Sequence, residues 1–183
     1  MMYRIAFSGS RIVKTTRAVI ASLVFFLASA ALCAAGGAGG VGFGYYGFDG
    51  SGRQMLSTMG YGYSTSWDGN RVGGFGMSLL SATGEQAGGV GGLLIGHEWR
   101  DGAGVAAITF LGGAGGVGDN SGGYMILFGE ADIELGLRVT RWMQVTGYVG
   151  YQAWGNLIPG PAFTTLVSYT PVVGVRIAWG GLF

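Results

Sequence analysis

The chain has 183 residues with 10 basic and 9 acidic side chains, so it is close to neutral, and it is 10% charged and 49% hydrophobic. That balance excludes a basic nucleic-acid-binding face. A single histidine and a single cysteine make a Cys/His metal framework or a disulfide scaffold unworkable.

Arg4, Arg11, Lys14 and Arg17 precede an uncharged, mostly apolar run from Ala18 to Ala35, with small residues gathered at Ala30, Ala31, Ala34 and Ala35. This is the layout of a cleaved N-terminal signal peptide over residues 1–35; a retained membrane helix is the alternative. Cys33 follows Leu32 directly, unlike a bacterial lipobox, where the leucine lies three residues before the cysteine. The remaining domain, 36–183, would have no lysine and six arginines against nine acids, a formal charge of 6 − 9 = −3. It has no apolar run near the roughly 20 residues that a membrane helix needs. All but one of the 40 glycines lie in it. A disordered linker, a repetitive secreted fibre, and strands that need minimal side chains on their interior face each account for such a content. The interleaving of glycine with Tyr, Trp, Phe, Val and Ile in period two favours strands of a tightly curved barrel.

In chain order, Val41, Phe43 and Tyr45 oppose Gly40, Gly42 and Gly44. Met59, Tyr61 and Tyr63 oppose Gly60, Gly62 and Ser64, and Phe75, Met77 and Leu79 oppose Gly74, Gly76 and Ser78. The same rule puts the bulky face in lipid and the glycine–serine face inside. Leu93, Ile95, His97 and Trp99 oppose Leu94, Gly96 and Glu98, and residues 105–111 are apolar on both faces. From Glu130 to Val139 the alternation is strict: Ala131, Ile133, Leu135, Leu137 and Val139 against Glu130, Asp132, Glu134, Gly136 and Arg138. A turn at Thr140-Arg141 leads to a partner strand, Met143 to Trp154, with Trp142 placed at a membrane interface. The chain closes on Val173, Val175, Ile177, Trp179 and Gly181, with Phe183 last; Gly174, Arg176 and Ala178 lie on the opposite face.

Turn signals at 49–52, 68–70, 83–85, 101–102, 113–121, 140–141 and 156–161 join eight strands. The three short ones at 68–70, 101–102 and 140–141 fall on the end that carries both termini. The predicted fold is all-β: an antiparallel transmembrane β-barrel of eight strands.

From Gly36 to Phe183 the chain resembles the small eight-stranded bacterial outer-membrane proteins of the broad OmpA, OmpX and OmpW type. The leader, the alternating strands, the Leu137-x-Val139-Thr140-Arg141-Trp142 hairpin and the terminal pattern carry the resemblance. It implies a location in the bacterial outer membrane, contact with outer-membrane lipid, and recognition by barrel-assembly machinery through Val175, Ile177, Trp179 and Phe183. It implies neither a cofactor nor an oligomeric state. The resemblance covers the barrel alone, so it does not imply the cell-wall anchoring of OmpA's peptidoglycan-binding domain.

Two G-x-G-x-x-G matches, 37–42 and 113–118, lack the strand–helix context of a dinucleotide site. His97 lies beside Glu98, but Trp99 stands where lipid A deacylases carry serine, so the reading is non-catalytic. Glu130, Asp132 and Glu134 form a lumenal acid ladder that Arg138 and Arg176 are placed to compensate. It reads either as an ion-paired plug or as a narrow cation-preferring path. The functional expectation is a structural or surface-exposed outer-membrane barrel or a narrow pore. A small-solute or apolar-compound channel and a secreted Gly-rich β protein are the alternatives.

Overall fold

The computed structural model describes residues 37–46, 54–84, 86–119, 122–156 and 168–181. The leader (1–35), Phe183 and the turn expected at 49–52 lie outside them. Eight strands follow one another: β1 Ala38–Tyr46, β2 Met55–Thr65, β3 Asn70–Ser81, β4 Ala87–Asp101, β5 Gly104–Asp119, β6 Gly122–Thr140, β7 Met143–Asn156 and β8 Ser168–Gly180. Each pairs antiparallel with its sequence neighbours, and β1 pairs with β8 from Ala38↔Gly180 to Tyr46↔Val172, closing the barrel. Closure removes the edge that an open sheet would present.

The connections 66–69, 102–103 and 141–142 lie at the end that carries Ala38 and Gly180, here the turn end. They match the three short turns expected near 68–70, 101–102 and 140–141. Gly69 and Gly102 adopt φ of 92° and 57°, which L side chains rarely adopt. The third turn has no such glycine; its ladder shifts register between Arg138 and Thr140 instead.

One expected turn is strand. Residues 113–118 continue β5 to Asp119, paired residue for residue with β4 (Gly92↔Gly113, Gly89↔Gly116). A Cβ at Gly113 or Gly115 would collide with the carbonyl oxygens of Gly91 and Gly89. At these two positions the neighbouring backbone comes too close for a side chain, a use of glycine that looks like a loop in sequence. Gly37–Gly42 and Gly113–Gly118 both lie on or beside strands.

Two faces are also reversed. On β1, β6, β7 and β8 the even-numbered residues point inward, as expected. The β1–β2 register, Gly42↔Met59, transfers the inner face to odd numbers on β2 and β3. Met59, Tyr61, Tyr63, Phe75, Met77 and Leu79 are buried in the lumen, while Gly60, Gly74, Gly76 and Ser78 face out. The cause is volume complementarity. A Cβ at Gly42 would lie 3.1 Å from the Met59 methyl, and one at Gly40 would lie 2.6 Å from the Tyr61 ring. The inner glycines of β1 thus leave the space that the large side chains of β2 fill.

The lumen has two regions. Toward the end opposite the turns it is apolar, with Phe75, Phe128 and Trp154 in ring contact (centroids 5.7 and 4.8 Å) beside Leu79, Ile126 and Val172. Toward the turn end it is charged.

Candidate functional site in the barrel lumen

The strict alternation of β6 puts Glu130, Asp132 and Glu134 on one inward row, and each is at most 5% exposed. Arg176 on β8 reaches all three: Nη1 donates to Glu134 Oε1 at 2.5 Å, and Nη2 donates to Asp132 Oδ2 at 2.5 Å and to Glu130 Oε1 at 3.2 Å. Its guanidinium carbon lies 4.1 Å from the Tyr148 ring centroid, a cation–π contact that holds the fork in place. Gly150, opposite Asp132 in the β6–β7 ladder, makes room for that carboxylate, because a Cβ there would collide with Asp132 Oδ1.

A second arginine, which the sequence reading did not single out, completes the cluster. Arg71 on β3 pairs with Glu98 on β4 and lies 3.5 Å from Glu134 Oε2. It sits 4.7 Å from the centroid of Tyr63. Glu98 also receives Arg100 Nε from its own strand and Gln144 Nε2 at 3.3 Å. Neutral donors add to the bonds of two of the acids: Thr109 and Thr146 donate to Glu134 at 2.5 and 3.2 Å. Gln152 donates to Glu130 at 2.6 Å and accepts from Trp154 Nε1 at 3.0 Å. The result is one connected polar network spanning β3 to β8. Removing carboxylates from water is costly, and such ions persist inside a protein only when paired and hydrogen-bonded.

The compensation expected of Arg176 is therefore in place. Arg138 sits nearer the turns, where its Nη2 donates to the Gly102 carbonyl at 2.9 Å. Of the terminal residues, Val175 faces outward at 45% exposure, and Ile177 and Trp179 share its face, half-buried. His97 lies on the outer face, its ring 4.5 Å from that of Trp99 and its Nδ1 3.0 Å from Asn70 Oδ1. The signal for Arg71 was its place just past the Asp68-Gly69 turn, which points it inward once the register is known. Compared with protein-family models, curated proteins and solved structures, the chain gives no match.

Proposed function

We propose that this protein is an integral outer-membrane β-barrel with a closed, ion-paired lumen and a structural or surface-exposed, non-catalytic role. The observation that carries the reading is the inverted distribution of polarity. Arg71, Glu98, Glu130, Asp132, Glu134 and Arg176 are buried, while Leu93, Leu135, Leu137, Val139 and Val149 stand out on the surface at 58–70% exposure. In water so extensive an apolar surface would aggregate, whereas lipid solvates it. A strand tilted by about 40° gains about 2.5 Å of height per residue, so about ten residues cross an apolar band of about 25 Å. Seven of the eight strands exceed that length, at 11–19 residues. Trp99 and Trp142 near the turn end and Tyr151 and Tyr169 near the other lie outward, as interfacial aromatic belts do. Closure of β1 on β8 favours this reading over a secreted fibre, which needs a free edge.

The natural partners are outer-membrane lipid and the barrel-assembly machinery, the latter engaging the C-terminal residues Val175, Ile177, Trp179 and Phe183. Membrane fractionation with protease treatment of intact cells, together with gel migration before and after boiling, tests the reading. Outer-membrane recovery with a boiling-dependent shift is expected. Recovery in the inner membrane with the leader attached overturns it.

A narrow cation-preferring path is the second reading, favoured by the excess of acids in the cluster: Glu98, Glu130, Asp132 and Glu134 against Arg71, Arg100 and Arg176. Changing Glu130, Asp132 and Glu134 to amides leaves planar-bilayer conductance unchanged if the cluster is a plug and shifts ion selectivity if it is a path.

A further inference from the structure

A groove of about 530 Å³ runs along the outer face at the turn end, walled by Val72, Ile95, Trp99, Ile108 and Phe110 and headed by Asn70 and His97. Its volume falls within the range of about 300–1,000 Å³ typical of small-molecule sites. It is amphipathic along its length. Ile95 and Phe110 are paired away from the turns, whereas Asn70 and His97 are paired next to the 66–69 turn.

The hydrogen bonds at the head determine what it can recognise. Asn70 Nδ2 donates to Asp68 Oδ2 at 2.6 Å, which fixes the amide so that Oδ1 faces His97 Nδ1 at 3.0 Å. An amide oxygen only accepts, so Nδ1 is the donor in this bond, and Nε2 is the ring nitrogen left for an occupant of the groove. Asp68 is fully exposed, and the Ser66 hydroxyl holds its carboxyl below the ordinary value, so it is a carboxylate at neutral pH. Through its bond to Asn70, the Asp68 carboxylate adds a negative charge beside the head of the groove. The complementary occupant carries an apolar chain and a cationic head rich in N–H donors.

We propose that this groove selectively binds an aminophospholipid, its acyl chain along Val72, Ile95, Ile108 and Phe110 and its primary ammonium on Asp68 and His97. The inference rests on the membrane reading above, which places the turn end at one lipid–water boundary, the level of Trp99. Phosphate is common to all phospholipids, so the ammonium supplies the selectivity: ethanolamine heads have three N–H donors and choline heads have none.

The test is native mass spectrometry of the detergent-solubilised full barrel. Ethanolamine lipid, its mono- and dimethyl derivatives, choline lipid and glycerol lipid of equal chain length compete for retention. One ethanolamine lipid is expected to remain bound per barrel, preferred about tenfold over choline, the equivalent of about 1.4 kcal/mol. Retention should fall with each added methyl. Asp68→Asn combined with His97→Phe should abolish the preference, and Ile108→Trp should reduce retention of every lipid, both with the boiling-dependent gel shift intact. Equal retention of ethanolamine and choline lipids by the folded wild-type barrel, or a preference that survives the double substitution, overturns the proposal. Loss of the gel shift in the wild type would instead refute the membrane reading itself.

Discussion

Arg176 and Glu134 meet across the lumen at 2.5 Å, the arginine from the strand that closes the barrel and the glutamate from the sixth. Glu134 also meets the second arginine, with Arg71 Nη1 3.5 Å from its other oxygen. Glu134→Gln therefore weakens two buried guanidinium contacts at once. Breaking one side of a buried pair typically costs about 3–5 kcal/mol, because the partner charge stays buried. The urea midpoint of the barrel in vesicles should fall accordingly. Arg176→Lys should not substitute, since one ammonium cannot reproduce a fork that bonds Glu134 through Nη1 and Asp132 and Glu130 through Nη2. A urea midpoint unchanged by Glu134→Gln would show that the network contributes little to stability.

Gln152 offers a graded comparison. It bridges Glu130 and the Trp154 indole at 2.6 and 3.0 Å and is 1% exposed. Gln152→Ala removes neutral partners rather than a charge, so a loss of about 1–3 kcal/mol is expected in the same assay. A loss as large as that of Glu134→Gln would mean that the Gln152 bridge matters as much as the ion pairs.

The glycines divide into two kinds that equilibrium stability can separate. At Gly136 a Cβ would collide with the Val145 carbonyl and lie 2.6 Å from Thr146 Cα, whereas at Gly112 a Cβ meets nothing within 4 Å. Gly136→Ala should destabilise by about 1–3 kcal/mol and Gly112→Ala by no more than about 0.5 kcal/mol. Equal effects would remove curvature as the explanation for the inner glycines.

That division marks what could be read from the residues alone. Strand count, closure, the three short turns and the inward row of Glu130, Asp132 and Glu134 were legible because each depends on local period-two alternation or turn chemistry. The orientation of β2 and β3 was not. It depends on the register Gly42↔Met59, set across a connection, and a one-residue change there inverts every side chain on the next strand. Arg71 was missed for the same reason. The 113–118 run was misread because a loop glycine and a glycine packed against a neighbouring carbonyl look identical in sequence.

At the 66–69 turn, Asp68 accepts from Ser66 Oγ and from Asn70 Nδ2, and the Ser66 hydroxyl is the chief cause of its lowered pKa. Because the folded value lies below the unfolded one, this contribution to stability is complete above about pH 3.9 and disappears as pH falls through the folded value. Carboxyl-carbon NMR titration should find Asp68 below an ordinary aspartate and Ser66→Ala should move it upward. An unshifted Asp68 in the wild type would contradict the turn geometry.

The reversed faces of β2 and β3 are open to a direct chemical check, because Cys33 is the sole cysteine of the chain and can be replaced by alanine. Thr58 and Ser78 face out and pair with each other, while their neighbours Met59 and Met77 pair inside the lumen at 4% exposure each. Single cysteines at 58 and 78 should react rapidly with a small, lipid-soluble maleimide on the folded barrel. Cysteines at 59 and 77 should react only after urea unfolding. If large apolar side chains alone chose the outer face, the pattern would be the opposite, with 59 and 77 fast and 58 and 78 protected. The assay thus separates a wall oriented by hydrophobic bulk from one oriented by register, in which Met59 and Tyr61 on β2 occupy the volume left by glycines on β1.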